Sequence, residues 1–194
     1  MMDDIFDRLK ADKEELSKWI GVYIGVLAVL LAVCSVGGGN AAKDATRANI
    51  DAADTWAFYQ AKSIRRTSYA IAAEELELTL TTQPALAEAA RKAVESKIRT
   101  FRAEASRLKS EPKEGTDQLL VKAKALEAER DVALRRDPYF DWSQALIQIA
   151  IVLASVHLII GNYTLLGLSG GLAGLGVLLM LNGYTLLVRL PFLG

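Results

Sequence analysis

The sequence predicts an all-α membrane protein: three transmembrane helices, with a long extramembrane helical hairpin inserted between the first and the second. Three observations predict it. Residues 19–36, 145–160 and 165–188 are apolar runs without a single charge, and about 18 such residues suffice to cross bilayer hydrocarbon as a helix. The charge is segregated. Four Lys/Arg precede the first run and one follows the second, so the other 18 of 23 lie between them, together with 17 of 23 Asp/Glu. Inside that charged middle, apolar residues recur at heptad spacing, the pattern of a helix packed on a helix.

The first 18 residues form a polar N-terminal segment with six acids against four bases. A cleaved signal needs a basic leader, so the run that follows is read as a helix that stays, over residues 19–39. Cys34 lies inside it as the single cysteine, which excludes an intrachain disulfide. The bases Arg8, Lys10, Lys13 and Lys18 on one flank face Lys43, Arg47, Arg130, Arg135, Arg136 and Arg189 on the other. Only short loops and flanking bases set orientation, and this distribution leaves the side of the insert undecided.

The insert spans residues 40–137. From Asn40 to Leu80 there is neither proline nor glycine, so the first helix is expected to continue straight out of its apolar run. Ile50, Ala57, Ile64, Ile71 and Leu78 recur every seven residues and are read as the seam against a partner helix. After Thr81-Thr82-Gln83-Pro84 a second series follows, Ala87, Val94, Phe101 and Leu108 with Ile98 and Ala105 between. A third contains Leu119, Ala123, Leu126 and Ala133. Pro84 is read as a first-turn residue, where its missing N–H is harmless. At 1.5 Å per residue the three pieces measure roughly 60, 40 and 30 Å. The chain returns to the bilayer only by rising through the first piece and descending through the other two, with Pro112 and Gly115 breaking the descending arm. Trp56-Ala57-Phe58-Tyr59 covers most of a helix circumference, since each residue turns about 100°. One partner arm covers only one stripe, so Trp56, Phe58, Tyr59 and Ile64 are the candidate interface for a second subunit.

Asp137-Pro138 is expected to restart a helix as cap and first residue, giving a second span over residues 138–161. The third is placed at 163–189, before a C-terminal tail at 190–194. Small residues at spacing four let helix backbones touch in lipid. Gly21 and Gly25, Ala150 and Ala154, and Gly167, Gly171 and Gly174 are the candidates for such packing. The polar residues Gln144, Gln148, His157 and Asn182 are the intramembrane candidates for a hydrogen-bonding or transport role. No Asp, Glu, Lys or Arg lies within an apolar run, which disfavours an ion path through one chain.

The chemistry of catalysis is missing. One His and one Cys make no metal set of the usual kind, and neither supports a nucleophile triad. Gly37-Gly38-Gly39-Asn40 lacks the Lys-Ser/Thr of a phosphate loop and is read as a flexible or close-packed joint. A net charge of zero gives nucleic acid no basic face. No catalytic residue, cofactor or metal is therefore expected, and no nucleic-acid partner.

The stretch Gly38-Gly39-Asn40-Ala41-Ala42, and then Asp54-Thr55-Trp56-Ala57-Phe58-Tyr59-Gln60-Ala61-Lys62-Ser63-Ile64-Arg65, resembles the signature of an uncharacterised bacterial membrane protein family, domain of unknown function 4337. Leu134-Arg135-Arg136 and Gln148-Ile149-Ala150-Ile151-Val152-Leu153-Ala154 are similar to its second shared region. The family carries basic residues between the last two spans, where this chain has Gly161-Asn162-Tyr163-Thr164. The resemblance implies a multi-pass protein of a bacterial cell membrane and implies no activity. The expected function is non-enzymatic: a helical stalk in contact with membrane lipids, mediating homo-oligomerisation or docking as a scaffold or accessory subunit of a larger membrane complex. The alternative is an oligomeric channel or transport component with its pore between subunits, lined by the four intramembrane polar residues.

Overall fold

The computed structural model describes residues 2–190, with side chains from residue 14 onward. Residues 191–194 of the expected tail lie outside the described residues. Among the described residues there are four helices and no strand: α1 (Met2–Thr82), α2 (Glu88–Ser110), α3 (Thr116–Ile160) and α4 (Tyr163–Thr185). Three of them, α1, α3 and α4, are long and apolar enough to cross a membrane. The chain divides into two compact units, one of residues 1–45 with 131–194 and the other of residues 46–130.

In the first unit the three apolar helices share a core. Leu27, Ile147, Ala150 and Ala173 form one cluster, and Cys34, Ala41, Phe140 and Met180 form a second. Three of these eight are alanines, which let the backbones come close, and two glycines carry the closest approaches in this unit. A Cβ on Gly37 would stand 2.6 Å from both the Phe140 ring and the Tyr184 hydroxyl. One on Gly176 would stand 2.8 Å from Ile147 Cγ1. The glycine run at 37–39 is therefore helical, close-packed at Gly37 and Gly38 and open at Gly39.

Two expectations about this unit are corrected. Pro138 does not start a helix and Asp137 does not cap one, because α3 runs through Pro138. The proline costs a backbone hydrogen bond to the preceding turn. Burial holds the helix on both sides of it, with Ala133 before and Tyr139, Phe140 and Ser143 after. The third apolar helix also ends at Thr185, four residues before the expected end. Leu186 takes the left-handed conformation (φ 51°, ψ 33°) and its N–H closes on the Asn182 carbonyl at 2.7 Å. Apolar composition continues to Val188, and composition alone does not reveal the cap.

In the second unit the contacts of α1 follow one antiparallel register. Glu77 pairs with Arg102, and Tyr69 packs on Phe101 at 5.6 Å. Lys62 meets Glu111 at 2.8 Å, Trp56 meets Glu127 at 2.9 Å and Asn49 meets Arg130 at 3.5 Å. Leu108 and Ile98 from α2, and Leu119 and Ala123 from α3, are buried. Pro84 sits in a turn before α2 rather than in its first turn. The Leu86 N–H reaches the Gln83 carbonyl at 3.3 Å, and proline suits the second position of such a turn.

The heptad row of α1 is the main correction. Ile50, Ile64, Ile71 and Leu78 are exposed by 54, 67, 49 and 63 %, and Ala57 is exposed with them. The face that α1 buries in its own unit is instead Ala48, Ala52, Thr55, Lys62 and Ala73, with Tyr59, Arg66 and Tyr69 partly covered. Small residues win that face because they let the arms approach, leaving the branched row on the opposite side.

Candidate functional site

Polar side chains tie the apolar helices of the first unit through backbone carbonyls. Ser143 Oγ donates to the Gly176 carbonyl and Ser169 Oγ to that of Ala150, both at 2.7 Å and both fully buried. Tyr23 and Ser169 share a hydrogen bond of 3.1 Å, and the Tyr184 hydroxyl donates to Val33 O at 3.1 Å. Buried donors need partners, and carbonyls of the neighbouring helix provide them.

The residues singled out from sequence divide sharply. Ala150 and Ala154 are completely buried. At Gly21, Gly25, Gly167, Gly171 and Gly174 an added Cβ would meet nothing within 4 Å. Those five form open, shallow faces on α1 and α4, while Gly37, Gly38, Gly176 and Gly183 carry the close approaches within the first unit. The signal for Gly176 and Gly183 is their spacing of seven, which keeps both on the α4 face turned to α3, Gly176 against Ile147 and Gly183 against Phe140.

Among the four intramembrane polar candidates, two serve local turns. His157 Nδ1 lies 2.8 Å from the Asn162 carbonyl, and its ring packs on Tyr163 at 5.1 Å. Asn182 grips Val188 with both side-chain atoms, donating to its carbonyl at 2.8 Å and accepting from its N–H at 2.9 Å. Gln148 is exposed, and Gln144 lies beside Gly38.

In the second unit the aromatic block divides by face. Trp56 and Tyr59 are half-buried and stack edge to face at 5.5 Å, and Trp56 Nε1 donates to Glu127. Phe58 and Ile64 remain exposed. Between them Lys62 is buried, a role that sequence reasoning missed because lysine in a charged segment reads as solvated surface. Its Nζ donates to Glu111 Oε2 at 2.8 Å and to the Glu114 carbonyl at 2.5 Å, and lies 5.4 Å from the Phe58 ring. The hydrogen bond and charge of Lys62 hold the Glu111 carboxyl below its usual range.

A further polar group lies in the first unit, where Arg135, Tyr139, Leu186, Arg189 and Leu190 line a cavity of about 270 Å³. The Nε atoms of Arg135 and Arg136 are buried without a hydrogen-bond partner. Burial, and then the charge of Asp141, push the Asp137 carboxyl above its usual range. Among the described residues no group of three His, Cys, Asp or Glu is arranged to hold a metal ion.

Fold and site together define an all-α protein with three candidate membrane spans and a separate charged helical unit. The chain belongs to the family described as domain of unknown function (DUF4337), whose model matches residues 16–186. Neither a curated protein nor a solved structure matches it.

Proposed function

We propose that this is a non-enzymatic integral membrane protein of a bacterial cell membrane, whose charged helical hairpin mediates self-association or docking within a larger membrane assembly. Membrane placement draws support from what the apolar helices leave outside: Val22, Val26, Val29, Val33 and Val36 on α1, Ile149 and Val152 on α3, and Leu168, Leu175, Leu178 and Leu181 on α4. A surface of this kind suits lipid rather than water.

The observation that carries the function is the exposed row Ile50, Ala57, Ile64, Ile71 and Leu78. Its period of seven keeps a helical stripe facing a supercoiled partner. The neighbours on that side from Ala57 to Ile71 are Gln60, Ala61, Thr67 and Ser68, so an uncharged seam is flanked by charge at both ends. The intrachain arms use the opposite face, which leaves this one for another chain.

The test is particle mass in mild detergent, with identification of every co-purifying chain. A homogeneous multiple of 21.1 kDa, or a stoichiometric foreign chain, is expected for the wild type. Ile64→Asp with Ile71→Asp is expected to release a folded single chain. A wild-type monomer without partners would overturn the reading.

A further inference from the structure

We infer that the cavity between Arg135 and Arg189 binds the phosphate of an anionic phospholipid, with the lipid's acyl chain lying in the apolar trough beside it. The inference rests on the membrane placement proposed above and concerns a different surface from the heptad row.

The site is built by the end of α4. Leu186 turns the chain out of the helix, and Asn182 fixes Val188 by two hydrogen bonds. Tyr139 on α3 then holds the same segment, donating to the Val188 carbonyl at 3.1 Å and accepting from the Leu190 N–H at 3.0 Å. These bonds bring Arg189, which follows the third apolar run, to the wall of a cavity whose other cation is Arg135, just before the second. Two distant bases in sequence thus meet, one within α3 and the other just past the end of α4.

Three features fit a phosphate with a lipid tail. Neither arginine has an ion pair among the described residues, and Arg135 Nε is a buried donor without an acceptor. Guanidinium groups match phosphate oxygens in geometry as well as charge. Next to this cavity lies an apolar trough of about 490 Å³, lined by Leu178, Leu181, Leu187, Val188 and Leu190 among others. Leu190 lines both spaces, so a headgroup in one leads directly to hydrocarbon in the other. A free anion would use only the first.

The test is native mass spectrometry of the full chain in detergent, titrated with phosphatidylglycerol, with phosphatidylcholine of the same acyl chains, and with inorganic phosphate. Phosphatidylglycerol is expected to bind at least about tenfold more tightly than phosphatidylcholine. Arg189→Gln and Arg135→Gln are each expected to weaken it about tenfold, the scale of one charged hydrogen bond. Arg99→Gln on the exposed face of α2 is expected to change nothing. Arg189→Gln lies beyond the helix, so its result stands even if Arg135→Gln fails to fold. Equal binding of the two lipids, or full binding in Arg189→Gln, overturns the inference. Phosphate binding as tight as that of the lipid overturns the assignment to a lipid. Release of the chain from native membranes by alkaline carbonate would instead overturn the membrane placement, separately from the lipid titration.

Discussion

Lys62 shows how one residue's environment reverses its apparent character. Its side chain is 8 % exposed and faces Glu111 and Glu114, where the chain joins α2 to α3. A carboxylate whose pKa is lowered in the native state adds stability above its unfolded value, and loses that contribution as pH falls through the lowered one. The thermal midpoint of the full chain is therefore expected to drop on acidification below the ordinary glutamate range. Lys62→Met is expected to flatten that acid limb, and melts at a series of pH values check it. Gly176 makes the complementary point in the apolar unit. A Cβ there stands 2.8 Å from Ile147 and 3.2 Å from the Ser143 carbonyl. Gly176→Val is expected to destabilise by about 1–3 kcal/mol through overpacking, while Gly171→Val, with open space around it, is expected to leave the melting midpoint of the monomer unchanged.

At the scale of elements, α3 and α1 each carry a tension between local preference and packing. Pro138 lies within α3, where a proline normally costs about 3 kcal/mol. Pro138→Ala returns an N–H to the helix ladder and is expected to raise stability by up to about that amount, read as an increase in melting temperature. A fall in melting temperature would mean that the proline ring's own packing outweighs the lost bond. In α1 the heptad row and the buried face lie on opposite sides of one helix. Charge placed on the two sides should therefore separate assembly from folding. Ile71→Asp is expected to lower the particle mass and preserve helicity, whereas Ala73→Asp, at a position only 2 % exposed, is expected to unfold the second unit. Circular dichroism beside particle mass distinguishes the two.

For the whole molecule, the family match over residues 16–186 covers both units, so the apolar and the charged helices belong to a single inherited design. Scaffold and lipid readings place demands on different parts of it. Self-association rests on α1 within residues 46–130, and lipid binding on Arg135 within α3 and the turn after α4. A chain carrying Ile64→Asp and Ile71→Asp is therefore expected to retain the preference for phosphatidylglycerol after it has become monomeric. Native mass spectra of that variant check the independence, and a joint loss would show that the lipid bridges subunits.

Sequence by itself determined the helical class, the three apolar helices and the residues that would pack α2 and the start of α3, because heptad spacing and uncharged length act locally along the chain. Continuity of α1 followed from the absence of a breaker between Asn40 and Leu80. Only the tertiary structure decided which face of α1 is covered. Periodicity shows that Ile50, Ile64 and Ile71 share a stripe, and it is blind to whether the covering helix comes from the same chain or another. Helix packing also decided the fate of Pro138, since burial of its neighbours is a contact between distant segments. The meeting of Arg135 with Arg189 has the same cause: 53 positions separate them in the chain, and only the turn after α4, held by Asn182 and Tyr139, closes that distance.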